Sequence, residues 1–235
     1  MEFLKPHIAG KNAGGDDRYA VERRRMVDEI VAMAQEASGY TPRPISEKVL
    51  SVMATVPRHR FVPEEAIYSA YYNRPLPIGN GQTISQPYIV ALMTELLALD
   101  KQDSVLEVGT GSGYQSAVLA GMAGKVYSVE IIEPLSARAA KLLGELGYAN
   151  VQLKVGDGSE GWPEYAPFDR IIVTAAANHM PLPLLEQLKP GGRMVIPVGG
   201  WSYIQELILI TKDQEGTPHQ ENILPVSFVP LTGGH

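Results

Sequence analysis

After Asp103 the chain alternates short β-rich runs with helical patterns, and this grammar constrains the fold more than any other feature. Ser104–Val108, Val126–Glu130, Val151–Val155, Arg170–Thr174 and Arg193–Val198 read as strands. Between them Ser116–Met122, Leu135–Leu146 and Leu182–Leu188 carry apolar residues at helical spacing and serve as crossover helices. Strands joined by such crossovers lie parallel, so the expected class is α/β, with a doubly wound, mostly parallel sheet. Ile204–Thr211 and Ile223–Val229 flank the polar stretch Asp213–Gln220 and predict a C-terminal antiparallel hairpin.

Upstream the pattern changes. Residues 1–18, rich in Gly, Asn and Asp, offer little to bury and predict a flexible N-terminal tail. From Tyr19 onward Val21, Met26, Val27, Ile30, Val31 and Ala34 recur at helical spacing until Ser38-Gly39, and a second helix is expected over Ser46–Val56. Arg23-Arg24-Arg25, set among Glu22, Asp28 and Glu29, reads as a solvated helical face. Pro57, Pro63, Pro75, Pro77, Gly79 and Gly81 then punctuate an ordered loop. That loop delivers Ser85 as the N-cap of a helix bearing Ile89, Val90, Leu92, Met93, Leu96 and Leu97. The organisation expected is a tail over 1–18 and one domain over 19–235, its helices and loop in 19–100 and its α/β core in 101–235.

Charge and composition exclude several function classes. A net charge of −6 disfavours sequence-independent attraction to nucleic acid. The absence of cysteine removes disulfides, thiolate metal sites and cysteine nucleophiles, and the five histidines lack metal-ligand spacing, so no metal is expected. No apolar stretch approaches the ~20 residues of a membrane span, and Met1–Asp17 lacks the apolar core of a signal peptide, which makes a cytoplasmic address the expectation.

The chemistry concentrates at three strand ends. Val105-Leu106-Glu107-Val108-Gly109-Thr110-Gly111-Ser112-Gly113 places glycines between a buried strand and a helix, where open α/β sheets bind ligands. The position a dinucleotide fingerprint reserves for its third glycine holds Tyr114, and no G-x-x-x-x-G-K-[ST] occurs, so NAD and nucleoside triphosphates fit poorly. Glu130 ends the next strand, where a carboxylate accepts hydrogen bonds from both hydroxyls of a ribose. Asp157, between Gly156 and Gly158, can turn toward the amine of an adenine. Each element alone is also compatible with an ordinary turn or a solvated acid. Together, with no Lys or Arg in the glycine turn to balance a phosphate, they describe a pocket for an unphosphorylated adenosine, and S-adenosylmethionine fits it.

Further motifs carry a family resemblance. Arg60-Phe61-Val62-Pro63, Pro75-Leu76-Pro77-Ile78-Gly79, Gly81-Gln82-Thr83-Ile84-Ser85-Gln86-Pro87 and the glycine turn occur in order. They are followed by Phe168-Asp169-Arg170-Ile171-Ile172-Val173-Thr174-Ala175-Ala176-Ala177, Leu188-Lys189-Pro190-Gly191-Gly192-Arg193 and Phe228-Val229-Pro230-Leu231-Thr232. The set resembles the protein-L-isoaspartate O-methyltransferases, a family of class I S-adenosylmethionine-dependent enzymes with a Rossmann-like sheet, over nearly everything after Tyr19. The resemblance implies methyl transfer to the α-carboxylate of L-isoaspartyl residues, and more weakly D-aspartyl residues, in damaged proteins and peptides. The ester then cyclises to a succinimide whose hydrolysis restores part of the normal aspartyl linkage. Matched residue by residue, Ser85 corresponds to the active-site serine; Gly109, Gly111, Gly113, Glu130, Asp157 and Gly158 to cofactor residues; Thr83 and Thr232 to cofactor neighbours. Ile84, Ser85 and Val198 correspond to substrate-binding positions. A monomer acting on isoaspartyl-containing proteins, without nucleic-acid or membrane partners, is implied too.

Because the acceptor is already an anion, alignment is the main catalytic task, and Ser85 is expected to hold it beside free N–H groups at a helix N-terminus. Two other readings fit the residues: a class I methyltransferase with a different acceptor, and a non-catalytic adenosyl-ligand binding module.

Overall fold

The computed structural model describes residues 18–36, 44–200 and 204–233. The expected tail, apart from Arg18, and the Ser38-Gly39 stop lie outside the described residues. Helix α1 (Ala20–Glu36) buries Met26, Ile30 and Ala34 along one stripe, and complete burial of a side chain such as Ile30 stabilises by about 1.5–3 kcal/mol. Arg23 is also buried, donating to Tyr71 Oη at 3.1 Å, so only Arg24 and Arg25 of the arginine run face solvent. Tyr71 recruits it by combining an apolar ring with a polar tip. Helix α2 (Glu47–Met53) is shorter than expected, with Ser46 as its N-cap; Ser46 donates through both N (2.9 Å) and Oγ (2.6 Å) to Glu95.

Residues 57–85 hold more order than a loop. Two 3₁₀ segments, Arg58–Phe61 and Glu64–Ser69, precede a hairpin of β1 (Leu76–Gly79) and β2 (Gln82–Ile84). Its two-residue turn is Asn80-Gly81 with φ of 55° and 71°, the conformation that such hairpin turns require. The Asn-Gly pair is a strong local hairpin signal; the neighbouring prolines obscured it. Helix α3 (Pro87–Leu97) follows, with Gln86 and not Ser85 at the N-cap. Pro87 at its first position carries no N–H, and Tyr88 N donates instead to Asn73 Oδ1 at 2.9 Å, so the helix end is capped from the preceding loop.

The main sheet is built from β3 (Ser104–Val108), β4 (Lys125–Glu130), β5 (Val151–Val155), β6 (Phe168–Val173), β7 (Leu188–Val198), β8 (Gln205–Lys212) and β9 (Pro218–Val226). Its order is β5-β4-β3-β6-β7-β8-β9. The first five in that order run parallel, while β8 is antiparallel to both β7 and β9. Crossovers pass through α4 (Tyr114–Ala120), α5 (Glu133–Glu145) and α6 (Leu182–Glu186). The antiparallel end is shifted from expectation: β9 begins at Pro218, carrying exposed His219, Gln220, Glu221 and Asn222. An edge strand wetted on its open side tolerates such residues, so their polarity did not mark a turn. β7 likewise begins at Leu188, through Pro190-Gly191-Gly192, five residues before Arg193.

Strand residues alternate between two cores. Val105, Val126, Ile172 and Val195 pack with residues of α1–α5, while Leu106, Tyr127, Ile171 and Met194 pack on the opposite face with Leu184 of α6. From β3 the chain winds toward β5, then crosses back to place β6 on the other side of β3. The β3/β6 boundary is therefore a topological switch point, where a crevice opens at the carboxyl ends of the strands.

Helix α3 stops at Ala98, an exposed residue in the left-handed conformation at φ 50° and ψ 56°. For an alanine this conformation costs about 1–2 kcal/mol, against roughly 0.5–1 kcal/mol for the added chain entropy of glycine. Ala98→Gly is expected to stabilise by about 0.5–1 kcal/mol. Urea unfolding should show a higher midpoint at an unchanged m value; a lower midpoint would contradict the assignment.

Candidate functional site

A cleft occupies the switch point. Its floor is Val108, Gly109, Thr110 and Gly111; Glu130, Ile131 and Ile132 form one wall, and Thr174, Ala175 and Gly158 another. Gln82–Ser85 close it from the hairpin side, and Val229–Thr232 from the C-terminal segment. That segment is drawn in by main-chain bonds on either side of Ala176: Ala176 N donates to Val229 O at 2.8 Å, and Leu231 N to Ala176 O at 2.7 Å. The hairpin is pinned by Arg138 of α5, which donates to Ile78 O at 2.7 Å.

The glycine turn approaches β6 so closely that a side chain has no room. Thr174 Oγ1 donates to Val108 O (3.1 Å) and Gly109 O (2.6 Å), and a Cβ on Gly109, at φ 96°, would strike that hydroxyl. Glu130, 6% exposed, accepts from Gly111 N (2.7 Å) through one oxygen and from Ile132 N (2.9 Å) through the other. Each oxygen keeps a lone pair for a ligand hydroxyl. Glu130 is the only charged side chain among the described residues lining the cleft.

Of the residues singled out from sequence, the fold brings Thr83, Ile84, Ser85, Gly109, Gly111, Glu130, Gly158 and Thr232 to this cleft. Gly113, Asp157 and Val198 are not among its lining. Gly113 is the N-cap of α4 and faces Ala139 and Leu143 of α5, so its role here is helix packing. Asp157 caps the following turn through Ser159 N (2.9 Å) and Oγ (2.7 Å), and Gly233 lies against its carboxylate. Val198 ends β7, bridged to Ala177. Thr174, Tyr114 and Gln115 line the cleft but escaped sequence reasoning. The one signal for Thr174 was its place after a strand adjacent to β3, and that adjacency is tertiary.

Ser85 sits between the cleft and a larger, more apolar groove of about 700 Å³ bounded by Met33, Pro75, Gln86, Tyr88, Ile89 and Leu224–Val229. Thr83, Ser85, Thr174 and Val229 line both spaces. The Ser85 carbonyl accepts from Arg58 Nη2 at 2.7 Å, while its hydroxyl has no protein partner among the described residues. Of the helix-end positions expected to offer N–H groups beside it, Pro87 has none and Tyr88 N is bonded to Asn73.

The family model for protein-L-isoaspartate(D-aspartate) O-methyltransferase matches residues 35–235. A Syntrophobacter fumaroxidans protein-L-isoaspartate O-methyltransferase 2 is 56% identical over 99% of this chain and 95% of its own length. A Cupriavidus necator protein-L-isoaspartate O-methyltransferase 1 is 57% identical over 94% of this chain and 85% of its own. The chain belongs to the protein-L-isoaspartate O-methyltransferase family. A solved methyltransferase of that name superposes with a TM-score of 0.77 at 28% identity, covering 88% of this chain and 66% of the other. A Plasmodium falciparum chain solved in complex with S-adenosyl-L-homocysteine shares the fold, with a TM-score of 0.74, 22% identity and coverage of 89% and 98%.

In this methyltransferase a second carboxyl lies beneath the turn. Glu107 of β3 is fully buried; Ser116 Oγ donates to its Oε2, and its Oε1 has no partner. Burial pushes its pKa from the ordinary 4.5 up to about 7, only partly offset by the hydrogen bonds. Ionisation therefore favours the unfolded chain: this contribution to stability is complete below 4.5, falls as pH rises, and is lost by about pH 7. Glu107→Gln is expected to flatten that fall and to stabilise the protein at pH 8 by on the order of 2 kcal/mol. Denaturant unfolding of both proteins at pH 5 and pH 8 checks it, and parallel slopes against pH would refute it.

Proposed function

We propose that the cleft seats S-adenosylmethionine and that the groove presents the α-carboxylate of an L-isoaspartyl residue, more weakly D-aspartyl, across Ser85. The carrying observation is the cleft's charge: its described lining has no Lys or Arg to meet a phosphate and only Glu130 as a charged group, which suits a sulfonium-bearing adenosine. Gly109 and Gly111 would admit the ligand against the backbone, and Glu130 would accept from its ribose hydroxyls. Thr83, Gly158 and Thr232 would complete the enclosure, with Asp157 and Gly113 supporting from outside the lining. The fit is supported by the contact between Gly109 and Thr174, which keeps the cleft floor free of a side chain at Gly109.

When bound, S-adenosylmethionine supplies an electrophilic methyl group on a sulfonium that leaves as a neutral thioether. The protein has no proton to remove, since the acceptor carboxylate is ionised at pH 7. The unpartnered Ser85 hydroxyl donates to one carboxylate oxygen and leaves the other directed at the cleft. A single neutral donor orients the anion without quenching it, as a bidentate arginine would. Ile84, buried at 3% exposure, anchors the strand end, while the apolar groove accommodates the neighbouring polypeptide. Val198, outside both spaces, would act on the substrate only at the periphery. The ester then closes to a succinimide without the enzyme, which makes the net result repair. In this reading the protein is a cytoplasmic monomer acting on isoaspartyl-containing chains, with no nucleic-acid or membrane partner and no metal.

Incubation with methyl-labelled S-adenosylmethionine and paired peptides should place base-labile label on the isoaspartyl peptide and not on its aspartyl twin. Equal label on both would refute the acceptor assignment. Ser85→Ala is expected to lower kcat about tenfold, as the loss of one hydrogen bond of about 1.4 kcal/mol implies, with cofactor affinity unchanged. Wild-type kcat in that variant at saturating peptide would remove the hydroxyl from the mechanism.

A further inference from the structure

Arg58 is fully buried, yet it has no carboxylate partner among the described residues. Its Nε donates to Ala70 O at 2.8 Å and its Nη2 to Ser85 O at 2.7 Å, while its Nη1 is left without a partner. The guanidinium lies 4.7 Å from the ring centroid of Tyr114, a residue that lines the cleft. Burial lowers its pKa to about 10, which leaves it charged at neutral pH. A buried cation is costly when no anion faces it, and the described residues supply none. Nor does the cleft supply any positive charge; Glu130 alone would repel an approaching carboxylate.

We propose that Arg58 is the positioning residue of the acceptor site: it fixes Ser85 by its main-chain carbonyl and provides, from behind it, the positive charge that an anionic acceptor needs. The inference rests on the role given to Ser85 above. Arginine suits the task because its planar fork grips two carbonyls at once, tying Ser85 to Ala70. Lysine would retain the charge but not the double grip. Since the guanidinium lies behind the carbonyl, it attracts the acceptor without forming the bidentate pair that would blunt its nucleophilicity. Arg58 thus accounts for an anion-selective site whose visible lining is neutral or acidic.

The test is a kinetic cycle on the full chain with isoaspartyl peptide, using Arg58→Lys, Arg58→Gln, Ser85→Ala and the Arg58→Lys/Ser85→Ala double variant. Cofactor affinity is measured by calorimetry for each. Arg58→Lys is expected to lower kcat at least tenfold, with KM for peptide changed less than threefold and cofactor affinity within twofold. Arg58→Gln should in addition raise KM at least tenfold and flatten its dependence on salt. The double variant should be no slower than Ser85→Ala within twofold, because the hydroxyl that Arg58 places is already gone. If Arg58→Gln does not fold, Arg58→Lys and the double variant carry the test. Additive losses, an unchanged kcat in Arg58→Lys, or loss of cofactor affinity in step with activity would overturn the proposal. Wild-type turnover is measured first: its absence would remove the acceptor reading and this proposal together, whereas additive losses with an active wild type would sink the proposal alone.

Discussion

The close contact between the ends of β3 and β6 is the constraint on which the rest of the structure depends. Where the sheet reverses its winding, two parallel strands part and leave main-chain carbonyls that need donors. Thr174 meets them with main chain and side chain, its N donating to Val108 O at 2.9 Å and its Oγ1 to Gly109 O at 2.6 Å, and the space the hydroxyl takes excludes a side chain at Gly109. The turn is thereby held flat against the sheet, so that the crevice has a floor of backbone. Glu130 then fixes the far side of that floor by accepting from Gly111 N and Ile132 N. The hydrogen bonds that secure the margin of the sheet also fix the floor of the cleft.

The segment N-terminal to the main sheet supplies the hairpin side of that crevice. The hairpin hangs over the glycine turn, held by Arg138 from α5 and by burial of Ile78. Arg58 reaches from a 3₁₀ segment to the strand end beyond the hairpin, and Asn73 caps α3 from the loop between them. Three separate polar side chains thus fix a segment built only of short 3₁₀ turns and a hairpin. Ser85 emerges with its carbonyl taken and its hydroxyl unspent, facing both the cleft and the open groove.

How much of this was legible depended on the range of the interactions involved. β3 and β5 match their sequence-derived limits, because Val108 and Val155 each give way at the next residue to a glycine, Gly109 and Gly156, that marks the end of the strand. β7 and β9 do not, because Pro190-Gly191-Gly192 and the polar run His219–Asn222 carry local signals for turns that pairing with neighbouring strands overrides. The hairpin at Asn80-Gly81 had a local signature and was still masked by adjacent prolines. Ser85 was placed at a helix cap on local preference, and the fold moved that cap to Gln86 because Pro87 removed the N–H that a serine would have bonded. Among the candidate site residues, those at the ends of β3 and β4 line the cleft, whereas Asp157 and Gly113 turn to local capping and packing.

The sequence by itself determined the α/β class, the strand-end location of the site and the absence of a phosphate-binding charge in the glycine turn. These follow from hydrophobic period and residue type, which act within a few residues of each other. Only the tertiary structure decided that Thr174 seals the turn, that Arg58 and Ser85, 27 positions apart, are joined, and that α1 contributes Met33 to the groove beside Ser85. Those contacts join segments distant in the chain, and no local preference encodes a partner that arrives only when the sheet and its covering helices have packed.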